Sequence, residues 1–257
     1  MRYLSFSRTR ILCAVWLLAC AAFAQAADVP ATPDDYLEKL QTLQPGDRLL
    51  LAPGEYLGGL PLHGLHGKPK APIVIESADA ERPAVLLGVE GRNTVSLRDA
   101  SHLVVRNLKL DGRNLPVDAV KAEQGRAVVH HIVLEGLTIV GHGESQGIVG
   151  ISTKAPAAFW TIRDNLIIGA GTGMYLGNSD GTAPFVAGVI ENNVILDTLG
   201  YNLQIKQQNV RPVREGLPDG HHVTVIRGNV FSKANDASEG SWARPNLLLG
   251  HLPPAGP

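Results

Sequence analysis

Short apolar segments recur along the chain at a nearly constant spacing. Five copies share one pattern, in which an apolar residue is followed by two variable residues, an Asn or Gly, and a second apolar residue. The copies are residues 104–108, 133–137, 162–166, 190–194 and 226–230. The equivalent polar positions in this alignment, at intervals of 29, 29, 28 and 36 residues, are Asn107, Gly136, Asn165, Asn193 and Asn229. A period of this length is typical of solenoid proteins, whose stacked repeats share one core.

Each copy has enough apolar positions for two short strands joined by a bend, and a second family of segments lies between the copies. This second family comprises residues 148–151, 174–177, 202–206 and 246–249. We expect it to form another sheet of the same coil, with apolar side chains such as Ile168 and Leu196 filling a common core. In each bend, an Asn amide can donate a hydrogen bond to one neighbouring coil and accept one from the next. The pattern predicts an all-β fold, a single-stranded right-handed parallel β-helix.

The open ends of such a stack need a cover against edge-to-edge pairing. The segment Thr32-Pro33-Asp34-Asp35 has the signature of a helix start with a Thr-x-x-Asp capping box. On one face of the amphipathic stretch that follows lie Tyr36, Leu37, Leu40 and Leu43. These features predict an N-terminal capping α-helix, and a helix packed elsewhere is the alternative. No comparable segment closes the other end, so we expect residues 27–257 to be one β-helix domain that is truncated at its C terminus.

The first 26 residues have the features of an export signal. A basic start with three arginines precedes the apolar run 11–23, and Ala24-Gln25-Ala26 suits signal peptidase. We expect a periplasmic or secreted protein, and a lipoprotein acylated at Cys20 is the alternative. The apolar run is shorter than the roughly 20 residues that span a bilayer, so no membrane span is expected. Because Cys13 and Cys20 both lie in this segment, we expect no disulfide in the mature chain.

Composition and charge limit the classes of partner. The formal net charge is −1 and 18% of the residues are charged, which leaves no electrostatic footprint for nucleic acid. Abundant Gly and Pro, with Val, Ile and Leu in short runs, favour β-structure over helical bundles. The sequence has no Gly-rich phosphate-binding loop, nucleophile elbow or Cys/His constellation. We therefore expect no nucleic-acid partner and no nucleotide chemistry. A monomer is also expected.

Two pairs of adjacent histidines, His130-His131 and His221-His222, enter predicted strands. Because strand side chains alternate, we expect one ring of each pair to point outward and the other toward the coil. Two rings that diverge in this way are poorly placed to bind one zinc ion. The sequence therefore predicts no metal site at these histidines.

The first predicted coil resembles that of a known superfamily. Gln44-Pro45-Gly46-Asp47, the strand 48–51 and Ala52-Pro53-Gly54-Glu55-Tyr56 are similar to the first coil of pectate-lyase-like right-handed β-helix proteins. The strand Pro72-Ile73-Val74-Ile75-Glu76 is similar to one that follows this coil in lyases resembling chondroitinase B and the alginate lyases. The superfamily includes lyases, epimerases, hydrolases, esterases and adhesins. The resemblance therefore implies the fold and leaves the function open.

The lyases of this resemblance combine acidic calcium ligands with a catalytic Lys and an Arg. The resemblance thus implies Lys206 as the base, Arg244 as the partner of a substrate carboxylate, and Ca²⁺ as a candidate cofactor. Asn202 and Gln204 stand where the resemblance leads one to expect glutamates. This departure counts against a calcium site, and no metal ligand is assigned.

The strand that ends in Lys206 is the candidate substrate site. Alternation along residues 202–206 places Asn202, Gln204 and Lys206 outward on one face. If the coils stack in register, the residues that join this row are Tyr175, Asp118 and Lys121, with His142 and Glu144 from the preceding turn. β-Elimination of a uronate needs a group that neutralises the carboxylate and a base that removes the C5 proton. The alternative interpretation is an ordinary solvated strand face.

Two loops beside this face contain side chains suited to sugars. The segment 232–245 contains Trp242, which could stack on a sugar ring, and Arg244, which could pair with a carboxylate. The segment 207–220 contains Arg211 among further charged residues. A Trp packed under its own loop and a solvated turn are the alternatives.

The sequence predicts an exported protein that binds or cleaves an acidic polysaccharide, as a lyase or an epimerase with Lys206 and Arg244 in catalysis. A non-catalytic carbohydrate-binding or adhesin-like envelope protein is one alternative. A glycoside hydrolase is the other, and it requires two carboxylates about 5 to 9.5 Å apart. No acidic pair at matching strand positions stands out in the sequence, which disfavours the hydrolase.

Overall fold

Parallel strands make up nearly all of the regular structure. The structure, a computed structural model, describes residues 26–206, 208–235 and 238–250. The export signal predicted in residues 1–26, with Cys20, lies outside them except for its last residue. The strands, in chain order, are β1 (Asp28–Ala31), β2 (Arg48–Leu51), β3 (Glu55–Tyr56), β4 (Leu60–His63), β5 (Ile73–Ser77), β6 (Val85–Leu87), β7 (Val95–Arg98), β8 (Ser101–Arg106), β9 (Lys109–Asp111), β10 (Val120–Ala122), β11 (Val129–Glu135), β12 (Thr138–Val140), β13 (Val149–Thr153), β14 (Ala157–Ala158), β15 (Thr161–Arg163), β16 (Leu166–Ile168), β17 (Thr172–Leu176), β18 (Phe185–Val186), β19 (Val189–Glu191), β20 (Val194–Leu196), β21 (Leu203–Ile205), β22 (Val225–Arg227), β23 (Val230–Ser232) and β24 (Leu247–Leu249). The helices are α1 (Tyr36–Leu40) and a 3-10 helix, Gly240–Trp242. In this part of the chain, neither has the length and apolar character needed to cross a membrane.

The strands form three parallel sheets, and one strand from each sheet makes a coil. Sheet one follows the path β1-β2-β5-β8-β11-β15-β19-β22, with β14 and β18 beside it. Sheet two contains β4-β7-β10-β13-β17-β21-β24, and sheet three contains β3-β6-β9-β12-β16-β20-β23. Each strand is hydrogen-bonded to the equivalent strand one repeat later. This arrangement confirms the predicted parallel β-helix, and the second family of segments forms part of sheet two as expected.

Aliphatic side chains of successive coils stack into columns inside the tube. The inward column of sheet one is Leu49, Ile75, Val105, Leu134, Ile162, Ile190 and Ile226. All but the last are fully buried, and each such side chain contributes about 1.5 to 3 kcal/mol through its burial. The prediction that Ile168 and Leu196 fill the core is wrong. Ile167 and Ile195 point inward in sheet three, and Ile168 is 36% exposed.

The bend between sheets one and three contains two adjacent columns of residues. The first column, in which every residue has a positive φ, is Asn107, Gly136, Asp164, Asn192 and Gly228. The second column is Leu108, Leu137, Asn165, Asn193 and Asn229. The alignment predicted from the sequence is therefore shifted by one residue in its first two copies. Leu108 and Leu137, and not Asn107 and Gly136, are the equivalents of Asn165. The predicted alignment started from Val104 and Val133, which face outward beside the inward Val105 and Leu134.

Three asparagines of the second column form a ladder between coils. Asn165 donates its backbone N–H and its Nδ2 to Oδ1 of Asn193, at 3.1 and 2.9 Å. Asn193 makes the same two bonds to Asn229, at 2.9 and 2.8 Å, and its Nδ2 also donates to the carbonyl of Ile162 at 2.9 Å. Asn165 and Asn193 are buried. Each amide therefore links neighbouring coils, as the sequence predicts.

The predicted N-terminal helix has a short counterpart. Helix α1 buries Tyr36 and Leu40 in the core and contacts β1 and β2. Oδ1 of Asp35 accepts a 2.7 Å hydrogen bond from the backbone N–H of Thr32, which is one half of the predicted capping box. The Thr32 hydroxyl donates to the same carboxylate instead of accepting a backbone N–H. The role of α1 as a cover for the end of the stack stays a prediction.

Charges of opposite sign alternate along the outer face of sheet one. The register forms an outward row of Glu76, Arg106, Glu135, Arg163, Glu191 and Arg227. Glu76 accepts hydrogen bonds from Arg48 at 2.8 Å and from Arg106 at 2.7 Å. Burial of Glu76 favours its neutral form, but the bonds from Arg106 and Arg48 outweigh burial and lower the pKa of Glu76 below its ordinary value. The row thus neutralises its own charges.

We expect Asn193→Ala to lower the free energy of unfolding by about 2 to 4 kcal/mol, because it leaves a buried carbonyl and buried N–H groups without partners. The measurement is urea denaturation followed by circular dichroism. The control is Asn235→Ala, at an exposed position, which should change stability by less than about 0.5 kcal/mol. Equal effects of the two substitutions would contradict the structural role of the ladder.

We expect the stability difference between the protein and Glu76→Gln to depend on pH. Because the folded pKa of Glu76 is lowered, its stabilising contribution is present above the ordinary value of 4.5 and is lost as the pH falls through the lowered folded pKa. The free energy of unfolding should therefore differ most near neutral pH and converge in acid. Urea denaturation at a series of pH values measures this difference. Glu81→Gln, at an exposed position, is the control, and a difference for Glu76→Gln that does not change with pH would refute the assignment.

Candidate functional site

The outer face of sheet two carries a row of polar side chains from successive coils. The register aligns Lys121, Ser152, Tyr175 and Gln204, and the apolar Leu248 follows them in the last coil. Tyr175 is partly exposed, whereas Ser152 and Gln204 are buried between their neighbours. With coils about 4.8 Å apart, the row from Lys121 to Gln204 is about 14 Å long. The structure therefore brings Lys121, Tyr175 and Gln204 onto one face.

Two lysines converge on Tyr175. The Nζ atom of Lys154, from the coil before, lies 5.1 Å from the centre of the Tyr175 ring, and that of Lys206, from the coil after, lies 5.5 Å from it. The Tyr175 hydroxyl is 2.5 Å from Oγ of Ser179. Within the described ranges, no carboxylate lies within ion-pair distance of either ammonium group. Unmatched positive charge beside a phenol makes this place suitable for an anionic ligand.

A glycine lies between the two lysines. Lys154, Gly177 and Lys206 each follow directly after a strand of sheet two and share one register position. Gly177 has a φ of 86°, and a Cβ atom there would be 3.3 Å from the Cβ of Lys206, so another residue at this position would be strained and would crowd the Lys206 stem. Lys154 is not among the residues that the sequence predicts for this site. The signal was available, because Ser152-Thr153-Lys154 repeats the polar, β-branched, Lys order of Gln204-Ile205-Lys206.

The prediction that Asn202 faces outward is wrong. Asn202 is fully buried, and its Nδ2 donates to the carbonyl of Ile195 at 2.6 Å. Its Oδ1 accepts from the Thr198 hydroxyl at 2.7 Å. Asn202 precedes β21 and satisfies the backbone of the bend, which explains its polarity. Asp118 is also buried, and its carboxylate accepts the Val149 N–H at 2.8 Å.

The prediction that His142 contributes to the groove is also wrong. His142 is fully buried, and its Nδ1–H donates to the carbonyl of Val117 at 2.8 Å. Burial lowers the pKa of His142, against the opposing effect of that carbonyl, so the ring is neutral at neutral pH. Glu144 is exposed in the turn before β13. It is accessible at the edge of sheet two, and its predicted role in substrate binding stays a prediction.

The structure does not place Arg244 beside Lys206. Lys206 follows β21 at the carboxyl end of sheet two, whereas Arg244 precedes β24 at the amino end. The guanidinium of Arg244 donates to the carbonyl of Ala243 at 2.9 Å, within its own loop. Lys206 and Arg244 therefore begin from opposite ends of neighbouring strands, and the pairing of Arg244 with a substrate carboxylate stays a prediction. The side chain of Trp242 lies outside what the structure describes.

Arg211 stabilises its own loop. Its Nη1 donates to the carbonyls of Pro218 and Gly220, both at 2.9 Å. Leu217 of the same loop packs against Val128 and Ala158, so the loop lies back along sheet one. The loop therefore lies beside sheet one and away from the row on sheet two. This position does not support the predicted contact of Arg211 with substrate.

A groove of about 450 Å³ lies on the outer face of sheet two in the first coils. His63 Nε2 is 2.8 Å from the Ser96 hydroxyl, and Asn93 Nδ2 donates to Glu123 at 2.5 Å. Arg98 also lines it. The polar surface thus continues from the Tyr175 region toward the N-terminal coils, which suits an extended polymer.

The rings of His130 and His131 lie together, contrary to the predicted alternation. Their Nδ1 atoms are 2.8 Å apart. His131 has a φ of 53°, and a left-handed residue within a strand breaks the alternation of side chains. His102 occupies the equivalent position one coil earlier and also has a positive φ. A sequence pattern cannot show this backbone conformation.

Calcium does not fit the donors around Tyr175. Ca²⁺ takes six to eight oxygen ligands, usually including carboxylates. In the described part of the chain, the group of three or more His, Cys, Asp or Glu residues that could hold one ion consists of histidines and lies on sheet one. Gln204 stands where the resemblance leads one to expect a glutamate. The candidate calcium site is therefore not formed by these residues.

Proteins of known structure are similar to this chain in their fold. An alginate lyase from Paenibacillus sp. str. FPU-7 has a TM-score of 0.54 at 20% identity, over 82% of this chain and 78% of that chain. The shared feature is the fold. A GH136 lacto-N-biosidase from Eubacterium ramulus has a TM-score of 0.47 at 15% identity, over 72% of this chain and 44% of that chain. A PL6 family alginate lyase has a TM-score of 0.33 at 13% identity, over 71% and 33% of the respective chains. No protein-family model and no curated protein matches the sequence.

Proposed function

We propose that this chain is an exported lyase that cleaves an acidic polysaccharide by β-elimination on the outer face of sheet two. The observation that carries the proposal is the convergence of Lys154 and Lys206 on Tyr175. Uronate polymers present one carboxylate per sugar, which unmatched ammonium groups attract. An alginate lyase shares the fold, and the predicted export signal in residues 1–26 would deliver the protein to extracytoplasmic polymers.

The three side chains can divide the reaction between them. Lys206 first releases a proton to water and then takes the proton from C5, and the electrons of that C–H bond form the C4=C5 double bond as the C4–O bond breaks. Tyr175 gives its proton to the leaving oxygen and later regains one from water. Lys154 pairs with the uronate carboxylate and stabilises the charge that develops on it. Ser179 holds the Tyr175 hydroxyl at 2.5 Å, which orients the proton donor.

An epimerase is the second candidate, because it shares the first proton transfer. It would return a proton to the opposite face of C5 and leave the C4–O bond intact. The polar row of about 14 Å suits either enzyme, since both act within a long chain. A lyase forms the C4=C5 double bond and an epimerase does not, so detection of this bond distinguishes the two enzymes.

We expect Lys206→Ala and Tyr175→Phe each to lower kcat by at least about 100-fold, because each removes a proton-transfer group. The assay follows absorbance near 235 nm, where the unsaturated uronate absorbs, during incubation with alginate, pectate or chondroitin. Lys70→Ala removes an exposed lysine in another turn and should leave the rate unchanged.

Other outcomes of that assay contradict the proposed lyase. New reducing ends without absorbance would indicate hydrolysis. Altered uronate composition in an uncleaved polymer, measured by NMR, would indicate an epimerase. Retention of the polymer in a pull-down without any product would indicate a binding protein. An absence of both product and binding on all three polymers would also refute the assignment.

We expect Lys154→Ala to raise KM and also to lower kcat, because its ammonium group binds the carboxylate and stabilises the charge that develops on it. The substitution should also weaken the dependence of KM on salt concentration. Lys154→Arg keeps the charge and should retain most of the affinity. A fall in kcat at unchanged KM would assign Lys154 to proton transfer instead.

A further inference from the structure

Three imidazole rings form a cluster on the outer face of sheet one, away from Tyr175. Donor nitrogens of His102, His130 and His131 all lie within 4.8 Å of one another. The rings of His102 and His131 are stacked, with centroids 4.4 Å apart, and the His130 ring is nearly perpendicular to both. His102 is distant in sequence from the adjacent His130 and His131, and the coil register alone brings it to them.

The backbone explains why these rings project from the same surface. His102, His131 and Phe159 occupy equivalent positions of successive coils, and each has a positive φ, between 53° and 57°. The Phe159 ring continues the stack, 4.6 Å from that of His131. Histidine is among the non-glycine residues enriched in this conformation. In these three coils the scaffold presents one ring each, His or Phe, at this position, and Ala187 occupies it in the next coil.

The surroundings of His130 keep its ring in place. Gly216 of the loop before β22 lies against it, since a Cβ atom there would be 2.8 Å from Cδ2 of His130. Arg214 of the same loop donates to the carbonyl of Gly125 at 3.1 Å, which holds the loop over this coil. Burial, with His131, His102 and His66 nearby, lowers the pKa of His130 to about 4. Burial also lowers the pKa of His102 and that of His131, so all three rings are neutral at neutral pH, the form that binds metals.

We propose that His102, His130 and His131 form a binding site for a divalent transition-metal ion of the zinc type. Neutral imidazole suits Zn²⁺, Co²⁺, Ni²⁺ and Cu²⁺, whereas Ca²⁺ and Mg²⁺ require oxygen donors. Zn–N bonds are about 2.0 to 2.1 Å, so nitrogens around a tetrahedral ion lie about 3.3 Å apart. The donor nitrogens, which lie within 4.8 Å of one another, reach this separation when the rings rotate. Coordination of the ion then replaces the His130–His131 hydrogen bond. Three protein ligands leave one position for water.

This site is independent of the proposed lyase reaction, because it lies on a different sheet and involves none of the same side chains. It also reverses the prediction that these histidines form no metal site. That prediction assumed alternating strand side chains, and the positive φ of His131 breaks the alternation. The simplest rival is that the rings form an aromatic stack only, with no ion. The next coil supplies the variant that separates these cases. Because Phe159 stands in the same column, His102→Phe and His131→Phe preserve stacking and remove a donor.

The test is a titration of tag-free, chelator-treated protein with Co²⁺ and Zn²⁺. We expect one ion per chain, a visible Co²⁺ spectrum that Zn²⁺ abolishes, and affinity at least about 10-fold lower in His102→Phe and in His131→Phe. His221→Phe, at an exposed histidine outside the cluster, should bind as the unmodified protein does. Circular dichroism and melting temperature establish that each variant is folded.

A second measurement uses the unmodified protein and does not depend on the variants. Imidazole ¹⁵N signals of the three histidines should shift on addition of Zn²⁺, while that of the buried His142 should not. Absence of a cobalt spectrum and of imidazole shifts would overturn the proposal. Unchanged affinity in both His→Phe variants would overturn it equally and would leave an aromatic stack only.

Discussion

Hydrogen bonding between each strand and the same strand one coil later is the constraint on which the rest of the structure depends. It satisfies the backbone and fixes the register, so residues between 20 and 44 positions apart in sequence become neighbours. Every outward position then belongs to a row and every inward position to a column. The aliphatic column from Leu49 to Ile226, the Asn165–Asn193–Asn229 ladder and the charged row of sheet one are three results of one register.

The same register creates chemistry that no single coil contains. Lys154, Tyr175 and Lys206 come from three coils, and so do His102, His131 and Phe159. The two groups differ in character because their surroundings differ. On sheet two, the ammonium groups lack carboxylate partners within the described ranges and attract anions. On sheet one, partial burial keeps the imidazoles neutral and available to a metal.

The outer faces of sheet one and sheet two differ in their charge. The charged row of sheet one contributes to stability, whereas the lysines of sheet two form the proposed ligand site. Along sheet one, Glu76 lies between Arg48 and Arg106, and similar pairs continue to Arg227. Such a row contributes to stability and has little net charge to offer a ligand. Among the residues that the structure describes, no acid forms an ion pair with Lys154 or Lys206 to offset their mutual repulsion, a cost of the kind that binding sites retain. A bound carboxylate would remove that repulsion.

The sequence by itself determined the repeat, the all-β class, the parallel coil and the common face of Lys121, Tyr175 and Gln204, because apolar periodicity and equal spacing are visible in the residues. Only the tertiary structure decided that the predicted alignment is shifted by one residue at Asn107. Val104 and Val105 are both apolar, so the sequence does not show which of them points inward. Only the tertiary structure decided that Asn202 and His142 are buried, because their polarity serves backbone groups of neighbouring bends. The histidine cluster likewise required the positive φ of His131. Sequence pattern reports which face a regular strand presents, whereas bends and left-handed residues redirect side chains, and contacts between coils select those conformations.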